Sequence, residues 1–218
     1  MSRSALVLEF LTLFVVLPLA YRFSPVHVPG LPVLWAVSGY AGWQLLRDPK
    51  FKRAQLWNAA SLAGQLGSIL VLFAVVALAL WVGVWHFSPD LQWDLVRRNS
   101  GFWAIVMVAY PVFSVYPQGL LYRAFFFERF APLFPGKWTM IVASAAAFAF
   151  LHIIFHNMLA VALTFGGGIL FAARYAKTCS LATSSFEHTL YGCWLFTVGL
   201  GQFFYHGTID TVGSAIAR

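Results

Sequence analysis

Long apolar stretches separated by short polar connections run along the whole chain. Seven of these stretches approach the length of a membrane helix, which needs about 20 predominantly apolar residues. They lie at 4–21, 31–46, 58–84, 101–117, 138–156, 158–174 and 180–204. Residues 69–84 are apolar on every face, whereas a membrane β-strand would alternate apolar and polar side chains. The pattern predicts an all-α, polytopic membrane helical bundle of about seven or eight transmembrane helices.

The connections between the stretches are short and polar. The segment 118–130 is more polar than its neighbours but still helical in pattern, and we expect it to continue the fourth span. An eighth span arises if Gly199 and Gly201 divide the last stretch. Two connections carry clear turn and charge signals, RDPKFKR at 47–53 and FAPLFPGK at 130–137.

The composition agrees with a membrane protein. Of the 218 residues, 61% are hydrophobic and only 10% are charged, whereas a soluble domain carries about 25% charged residues. The net charge of +7 raises the question of nucleic-acid binding. The cations are scattered between apolar stretches and do not line one face, so no nucleic-acid partner is predicted. Membrane lipids are the expected surroundings.

The distribution of cations predicts an orientation. With the N-terminus inside and the spans alternating, the inner side holds Arg3, Arg47, Lys50, Lys52, Arg53, Arg129, Lys137, Arg174 and Lys177. The outer side holds Arg22, Arg97, Arg98 and Arg218. Because cytoplasmic connections are enriched in Lys and Arg, the N-terminus is predicted to be cytoplasmic. The predicted location is a bacterial plasma (inner) membrane, with the first stretch retained as a helix.

Ionisable side chains inside the spans are candidates for function, since placing one at the membrane centre costs at least about 2.5–3.5 kcal/mol. Apart from Glu9, most of them fall in three segments. The first is YPQGLLYRAFFFER at 116–129, which contains Gln118 and Arg123. The second is FAFLHIIFHN at 148–157, and the third is SFEHTLYG at 185–192, which contains the neighbours Glu187 and His188.

Each segment also has a structural interpretation. Phe148, His152 and His156 are spaced four apart and are predicted to share one helix face. Two histidines at this spacing can share a metal ion, but no glutamate follows His152 in the H-E-x-x-H manner. We therefore expect His156 to face the lipid headgroups. Arg123 can extend to the membrane interface, and Glu187 can serve as its counter-ion.

Taken together, the three segments resemble the CAAX protease and bacteriocin-processing (CPBP) family of intramembrane proteases, which includes the type II CAAX prenyl endopeptidases. The family pattern is E-E-x-x-x-R on one helix, F-x-x-x-H on another, and H-x-x-x-N or H-x-x-x-D on a third. Arg123 matches the first pattern, Phe148 and His152 match the second, and His188 matches the third. The resemblance covers roughly residues 102–204.

The chain departs from the family pattern at three positions. The paired glutamates fall at Gln118 and Gly119, and the asparagine falls at Gly192. In the family, the first glutamate is thought to activate water, the histidines assist, and the third motif steadies the oxyanion. Glutamine cannot accept a proton from water, and glycine has no side chain. The resemblance therefore implies site positions without a general base, and these positions are Arg123, His152 and His188.

Three functional hypotheses follow. The first and favoured one is a CPBP-type intramembrane endopeptidase that hydrolyses a peptide bond in or near the membrane, with Glu187 supplying the missing carboxylate. Its predicted catalytic residues are His152, His188, Glu187, Arg123 and Gln118. The second is a catalytically inactive family member that binds a membrane or lipidated partner. The third is a small transporter, which Pro111 and Pro117 favour by breaking the fourth span, although no repeat is present.

The remaining expectations concern partners, cofactors and domains. A membrane-associated peptide or protein is the substrate that the first hypothesis requires. No cofactor is predicted, and the need for a divalent metal is left open. The chain is expected to form a single membrane domain over 1–218, with 1–100 as N-terminal scaffold helices and 101–204 as the CPBP-like core.

Overall fold

The computed structural model describes residues 2–26 and 28–204. Its helices are α1 (Arg3–Arg22), α2 (Gly30–Arg47), α3 (Ala60–Phe87), α4 (Asp94–Arg98), α5 (Ser100–Arg129), α6 (Lys137–Leu151), α7 (Met158–Thr178) and α8 (Leu181–Val198). Short 3₁₀ turns occupy Arg53–Leu56, Pro89–Leu91, His152–Phe155 and Gly201–Phe204. No strand occurs in these two ranges, and the prediction of an all-α bundle is confirmed.

Several helices have the length and apolar composition of a membrane span. They are Arg3–Arg22, Arg53–Phe87, Ser100–Arg129, Lys137–Phe155 and Met158–Thr178. Helices α2 and α8 coincide with the predicted spans 31–46 and 180–204, but they are not among these five. The polar side chains of α8 are buried against other helices and lower its mean hydropathy. The chain is an integral membrane protein.

Helix α5 carries the first motif segment and contains two prolines. As predicted, it continues through the more polar segment that begins at residue 118, and it ends at Arg129, one residue before the predicted end at 130. Pro111 and Pro117 do not break it, and two π-helical segments form instead, at Pro111–Val115 and Leu120–Phe125. Proline has no N–H and crowds the preceding turn, which a wider turn can accommodate. The broken fourth span that favoured a transporter is therefore not found.

Helix α6 ends earlier than the spacing predicted. It gives way to the 3₁₀ turn His152–Phe155, and His156 then adopts a left-handed backbone with φ 59°. Asn157 begins the next helix as the N-cap of α7. The prediction that His156 shares a helix face with Phe148 and His152 is wrong, because the helical register is lost between them. His156 is exposed, whereas His152 is buried.

The last predicted span, 180–204, is interrupted near Gly199, where α8 ends. Within the described residues, which stop at 204, only the 3₁₀ turn Gly201–Phe204 follows it. Gly199 terminates the helix with φ 113°, a left-handed conformation that suits glycine. A side chain there would also collide with the carbonyl oxygen of Leu91. Arg218, which was counted among the outer cations in predicting the orientation, lies outside the described residues.

The helices carrying the three motif segments pack against one another. Helix α7 packs against both α6 and α8, while α8 also packs against α3 and α5. A cluster of buried aromatic rings fixes α5 against α1; it consists of Phe14, Tyr122, Phe125, Phe126 and Phe130. Since these rings hold one side of α5 towards α1, Arg123 lies on the side that faces α6 and α7.

Candidate functional site

Arg123 lies at the centre of the candidate site. Its side chain is only 1% exposed, so it does not extend to the membrane interface. The guanidinium carbon lies 4.3 Å from the ring centre of Phe148 and 5.4 Å from that of Phe171. None of its three nitrogens has a hydrogen-bond partner among the described residues. Within residues 2–26 and 28–204, the contacts that stabilise the charge are therefore those with aromatic faces.

The two site histidines contact the same aromatic rings. His152 donates a hydrogen bond from Nδ1 to the carbonyl oxygen of Phe148 at 2.7 Å, which fixes the orientation of its ring and leaves Nε2 free of this bond. His188 stacks on Phe171 with 4.5 Å between ring centres and meets Phe148 edge-on at 5.5 Å. Phe148 thus joins Arg123, His152 and His188 into one group. The structure brings together the three positions that the resemblance carried over.

Tyr110 on α5 is a fourth member of this group. Its hydroxyl lies 3.3 Å from Nε2 of His188, within hydrogen-bonding distance. The Tyr110 ring also fills the space beside Gly192, so that a Cβ atom at position 192 would overlap the ring. The family asparagine has no room here, and a phenol from another helix provides the polar partner of His188 instead.

This arrangement predicts that Gly192 cannot carry even a methyl group without strain. We expect Gly192→Ala to lower stability by about 1–3 kcal/mol, because the added carbon overpacks the contact with Tyr110. Gly166→Ala on α7 is the matched control, since its Cβ would meet open space, and alanine there favours the helix by about 1 kcal/mol. Unfolding in mixed micelles measures both variants. Equal stability of the two variants would contradict the close Tyr110–Gly192 contact.

The positions of the family glutamates are also buried. Gln118 is 9% exposed and donates from Nε2 to the hydroxyl of Ser114 at 2.8 Å. Its amide oxygen has no partner in the described part of the chain. At Gly119, a Cβ would lie 2.8 Å from a methyl carbon of Leu181 and 2.9 Å from the hydroxyl of Ser185. Gly119 therefore permits close packing of α5 on α8, and a glutamate there would require the Leu181 and Ser185 side chains to move.

Glu187 lies in a separate polar cluster. Both of its carboxylate oxygens accept hydrogen bonds from Arg174, each at 2.9 Å. Arg174 also donates to Gln65 at 2.8 Å and to Ser68 at 2.9 Å on α3. Glu187 is thus the counter-ion of Arg174 and not of Arg123, which corrects that alternative. The bidentate pair engages both carboxylate oxygens and gives no support to Glu187 as a general base.

No other carboxylate replaces it within the part of the chain that the structure describes. Glu9 pairs with Arg129 at 2.9 Å, and Asp94 pairs with Arg98 at 2.6 Å. No described Asp or Glu forms a hydrogen bond or ion pair with Arg123 or the two histidines. Residues 2–26 and 28–204 also contain no group of three His, Cys, Asp or Glu side chains able to hold a metal.

A cavity of about 620 Å³ adjoins the group. Its walls come from α1, α2, α5 and the turn after α6, and they are predominantly apolar. Its polar lining includes Tyr110, Gln118, Tyr122 and His152, and we call these four residues its polar end because Tyr110, Tyr122 and His152 contact His188 or Phe148 of the Arg123 group. Arg123 follows Tyr122 directly, and the Phe148 ring beneath its guanidinium contacts His152. The cavity therefore reaches the Arg123 group at one end and provides room for an apolar ligand.

Sequence reasoning did not identify Tyr110, Phe171 and Arg174. The Arg174–Glu187 pair could have been predicted from the sequence. Helices α7 and α8 are joined by a two-residue turn, and the two charges lie at similar distances from this turn on either side. Tyr110 had no such signal, since it is 78 residues from His188 in sequence. Phe171 is one of many phenylalanines in apolar helices.

The fold defines an integral membrane protein whose candidate site, the cluster around Arg123, is buried between its helices. The family model described as type II CAAX prenyl endopeptidase Rce1-like matches residues 99–194, which include all three motif segments. This match supports membership of the CPBP family and, at family level, a CPBP-type intramembrane protease. No curated protein and no solved structure matches the chain.

Proposed function

We propose that this chain is a family member that binds a membrane-embedded ligand in its cavity without hydrolysing a peptide bond. The observation that carries the proposal is the absence of a carboxylate from contact with Arg123, His152 and His188 in the described residues. Of the alternatives considered from sequence, this favours the catalytically inactive member over the active endopeptidase.

Peptide hydrolysis needs a positioned base and donors for the oxyanion. Arg123, Tyr110 and the histidines can supply donors. Gln118, at the position of the first family glutamate, can donate or accept a hydrogen bond but cannot remove a proton from water. Glu187 is held by Arg174 with both oxygens engaged. The set of groups suits binding of an electron-rich ligand more than activation of water.

The cavity supports the binding part of the proposal. It holds about 620 Å³, within the usual range for pockets that enclose a small ligand. Its apolar walls match a ligand that partitions into the bilayer, and its polar end presents donors from α5 and from the turn after α6. These are the properties of a ligand site rather than of ordinary packing between helices.

The test is cleavage of a membrane-tethered peptide library by the purified full chain in nanodiscs. We expect no cleavage by the parent, with or without divalent metal, under conditions in which a family protease with the complete glutamate pair cleaves. Gln118→Glu restores a carboxylate at the polar end of the cavity, and weak cleavage by this variant alone would show that the base is what the parent lacks.

The opposite result is equally informative. Cleavage by the parent that is lost in His152→Ala would overturn the proposal and make the chain a working protease. Comparison of Glu187→Gln with Arg174→Lys would then examine Glu187 as the base, since both variants disturb the ion pair but only the first removes the carboxylate. Loss of cleavage in Glu187→Gln alone would establish the relocated base.

The orientation remains part of the proposal. The excess of cations on the inner side supports a cytoplasmic N-terminus and a bacterial plasma membrane. The single-domain organisation, with a scaffold over 1–100 and a core over 101–204, is likewise a prediction.

A further inference from the structure

Arg123 differs from the other charged groups that face the interior of the bundle. Arg174 and Arg129 each have a carboxylate partner at 2.9 Å, and Arg22 donates to the carbonyl oxygen of Ile153. Arg123 is more deeply buried than these, and its nitrogens are without hydrogen-bond partners in the described ranges. A buried cation of this kind is costly unless something neutralises it.

We propose that the cavity binds a long-chain carboxylate, of the fatty-acid type, with the carboxylate directed towards Arg123 and the hydrocarbon chain along the apolar walls. This inference rests on the proposed function and specifies its ligand class. The family pattern places carboxylates at positions 118 and 119 near this arginine, and this chain has Gln118 and Gly119 there. The ligand supplies the negative charge that the sequence has lost.

The charge of the site favours a monoanion. One guanidinium is always protonated, and no other Lys or Arg contacts the ring cluster around it in the described part of the chain. A single carboxylate balances this charge. A phosphate monoester would bring close to two negative charges against one positive charge, and would leave the excess charge buried.

The walls favour a hydrocarbon chain over a peptide. Beyond the polar end, the lining residues are apolar apart from Tyr21, whose hydroxyl is already bonded to the carbonyl oxygen of Val28 at 2.7 Å, and Ser114, which is bonded to Gln118. A peptide laid along these walls would leave its own N–H and C=O groups without partners, at considerable cost. An acyl chain has no such groups.

The attraction does not require Arg123 to form part of the cavity wall. Gln118 and Tyr122 line the cavity and flank Arg123 on the same helix, and His152 lines it from the other side. In a low-dielectric interior, unit charges several ångströms apart still attract each other strongly, and salt does not screen them as it does at a surface. The Tyr110 hydroxyl and the Gln118 amide can donate hydrogen bonds directly to the carboxylate.

The test is equilibrium binding of radiolabelled palmitate to the full chain in phosphatidylcholine nanodiscs. We expect saturable binding that unlabelled palmitate displaces, while hexadecanol (the chain without the charge) and acetate (the charge without the chain) do not. Arg123→Gln should weaken binding by roughly ten- to hundredfold, because it removes the buried positive charge that attracts the carboxylate. Arg98→Gln removes an exposed cation that does not line the cavity and should leave binding unchanged.

A second pair of variants tests the proposal with Arg123 intact, in case Arg123→Gln loses binding only because it misfolds. Gln118→Glu places a fixed carboxylate at the polar end and should displace palmitate although Arg123 is intact, whereas Gln118→Met, of similar size and without charge, should lose much less. Equal binding of palmitate and hexadecanol, or unchanged binding in both Arg123→Gln and Gln118→Glu, would overturn the proposal. Displacement by an apolar peptide with a free C-terminal carboxylate, but not by its amide, would also overturn it, in favour of a peptide ligand.

The two proposals fail separately. Palmitate binding is measured without peptide, and peptide cleavage is measured without fatty acid. Cleavage by the parent would end the proposed function whatever palmitate does. Absence of palmitate binding in a chain that does not cleave would end only the assignment of the ligand.

Discussion

Replacing Glu187 with leucine is expected to destabilise the protein by about 3–5 kcal/mol, because it leaves the Arg174 cation without its counter-ion inside the bundle. The side chain of Glu187 is 1% exposed and that of Arg174 is 10% exposed, so water has little access to the lost hydrogen bonds. Glu187→Gln keeps a hydrogen-bond acceptor for Arg174 and should cost less. Unfolding of the purified chain in mixed micelles measures the differences.

The double variant Glu187→Leu/Arg174→Met compares the stability lost when both charges are removed with the stability lost when only one is removed. Since replacing both charges with apolar groups removes the desolvation penalty together with the attraction, its stability should return to within about 1–2 kcal/mol of the parent. Arg98→Leu breaks the Asp94–Arg98 pair, whose arginine is 62% exposed, and should cost less than about 1 kcal/mol. A cost for Glu187→Leu as small as that of Arg98→Leu would contradict the buried ion pair.

Removing the Arg123 cation is expected to raise the stability of the protein, whereas removing the Glu187 carboxylate lowers it. The effective desolvation penalty of a buried ion is several kcal/mol, and cation–π contacts return only about 2 kcal/mol. Arg123→Met keeps the length and flexibility of the side chain and should therefore raise the stability of the ligand-free chain by about 1–3 kcal/mol. The same unfolding assay in mixed micelles, after removal of bound lipid, measures it.

Arg129→Met is the matched control for this prediction. It removes a cation of the same helix that does have a carboxylate partner, Glu9, and should lower stability where Arg123→Met raises it. Destabilisation by both variants would mean that Arg123 is needed for the fold. A rise in stability together with a loss of palmitate binding would show that the chain retains a destabilising charge for the sake of its ligand.

Opposite signs at Glu187 and Arg123 would also separate two roles that the sequence alone does not distinguish. Both residues are single charges in apolar helices, and their pairing with each other was one of the structural interpretations. The structure instead gives each a different environment: Glu187 is satisfied by Arg174, and Arg123 faces aromatic rings beside a cavity. The first environment stabilises the fold, and the second suits a ligand.

The sequence by itself determined the class of protein and the helices that carry the site. A run of about 20 apolar residues has few alternatives to a membrane helix, because backbone groups in lipid must bond within their own segment. The motif spacings were enough to single out Arg123, His152 and His188, since F-x-x-x-H places its two side chains on one helical face. Phe148 and His152 do meet in this way, with ring centres 4.8 Å apart.

The same local rule failed at His156. The spacing of four residues predicted a shared face only if the helix continued, and it ends before His156 because Asn157 caps the next helix. Capping by Asn competes with helix continuation, and which of the two prevails depends on where α7 must pack. The sequence contained both signals without indicating which would prevail.

Only the tertiary structure decided which charge pairs with which, and what fills the space left by each departure from the family pattern. Tyr110 fills the place beside Gly192 from another helix, and Leu181 and Ser185 close the space beside Gly119. Such contacts join residues far apart in the chain, so no periodicity records them. Apolar patterning places a helix in the membrane, but side-chain packing sets the rotation and depth of one helix against another. The rotation and depth in turn determine whether a buried charge lies beside an oppositely charged side chain or beside a cavity.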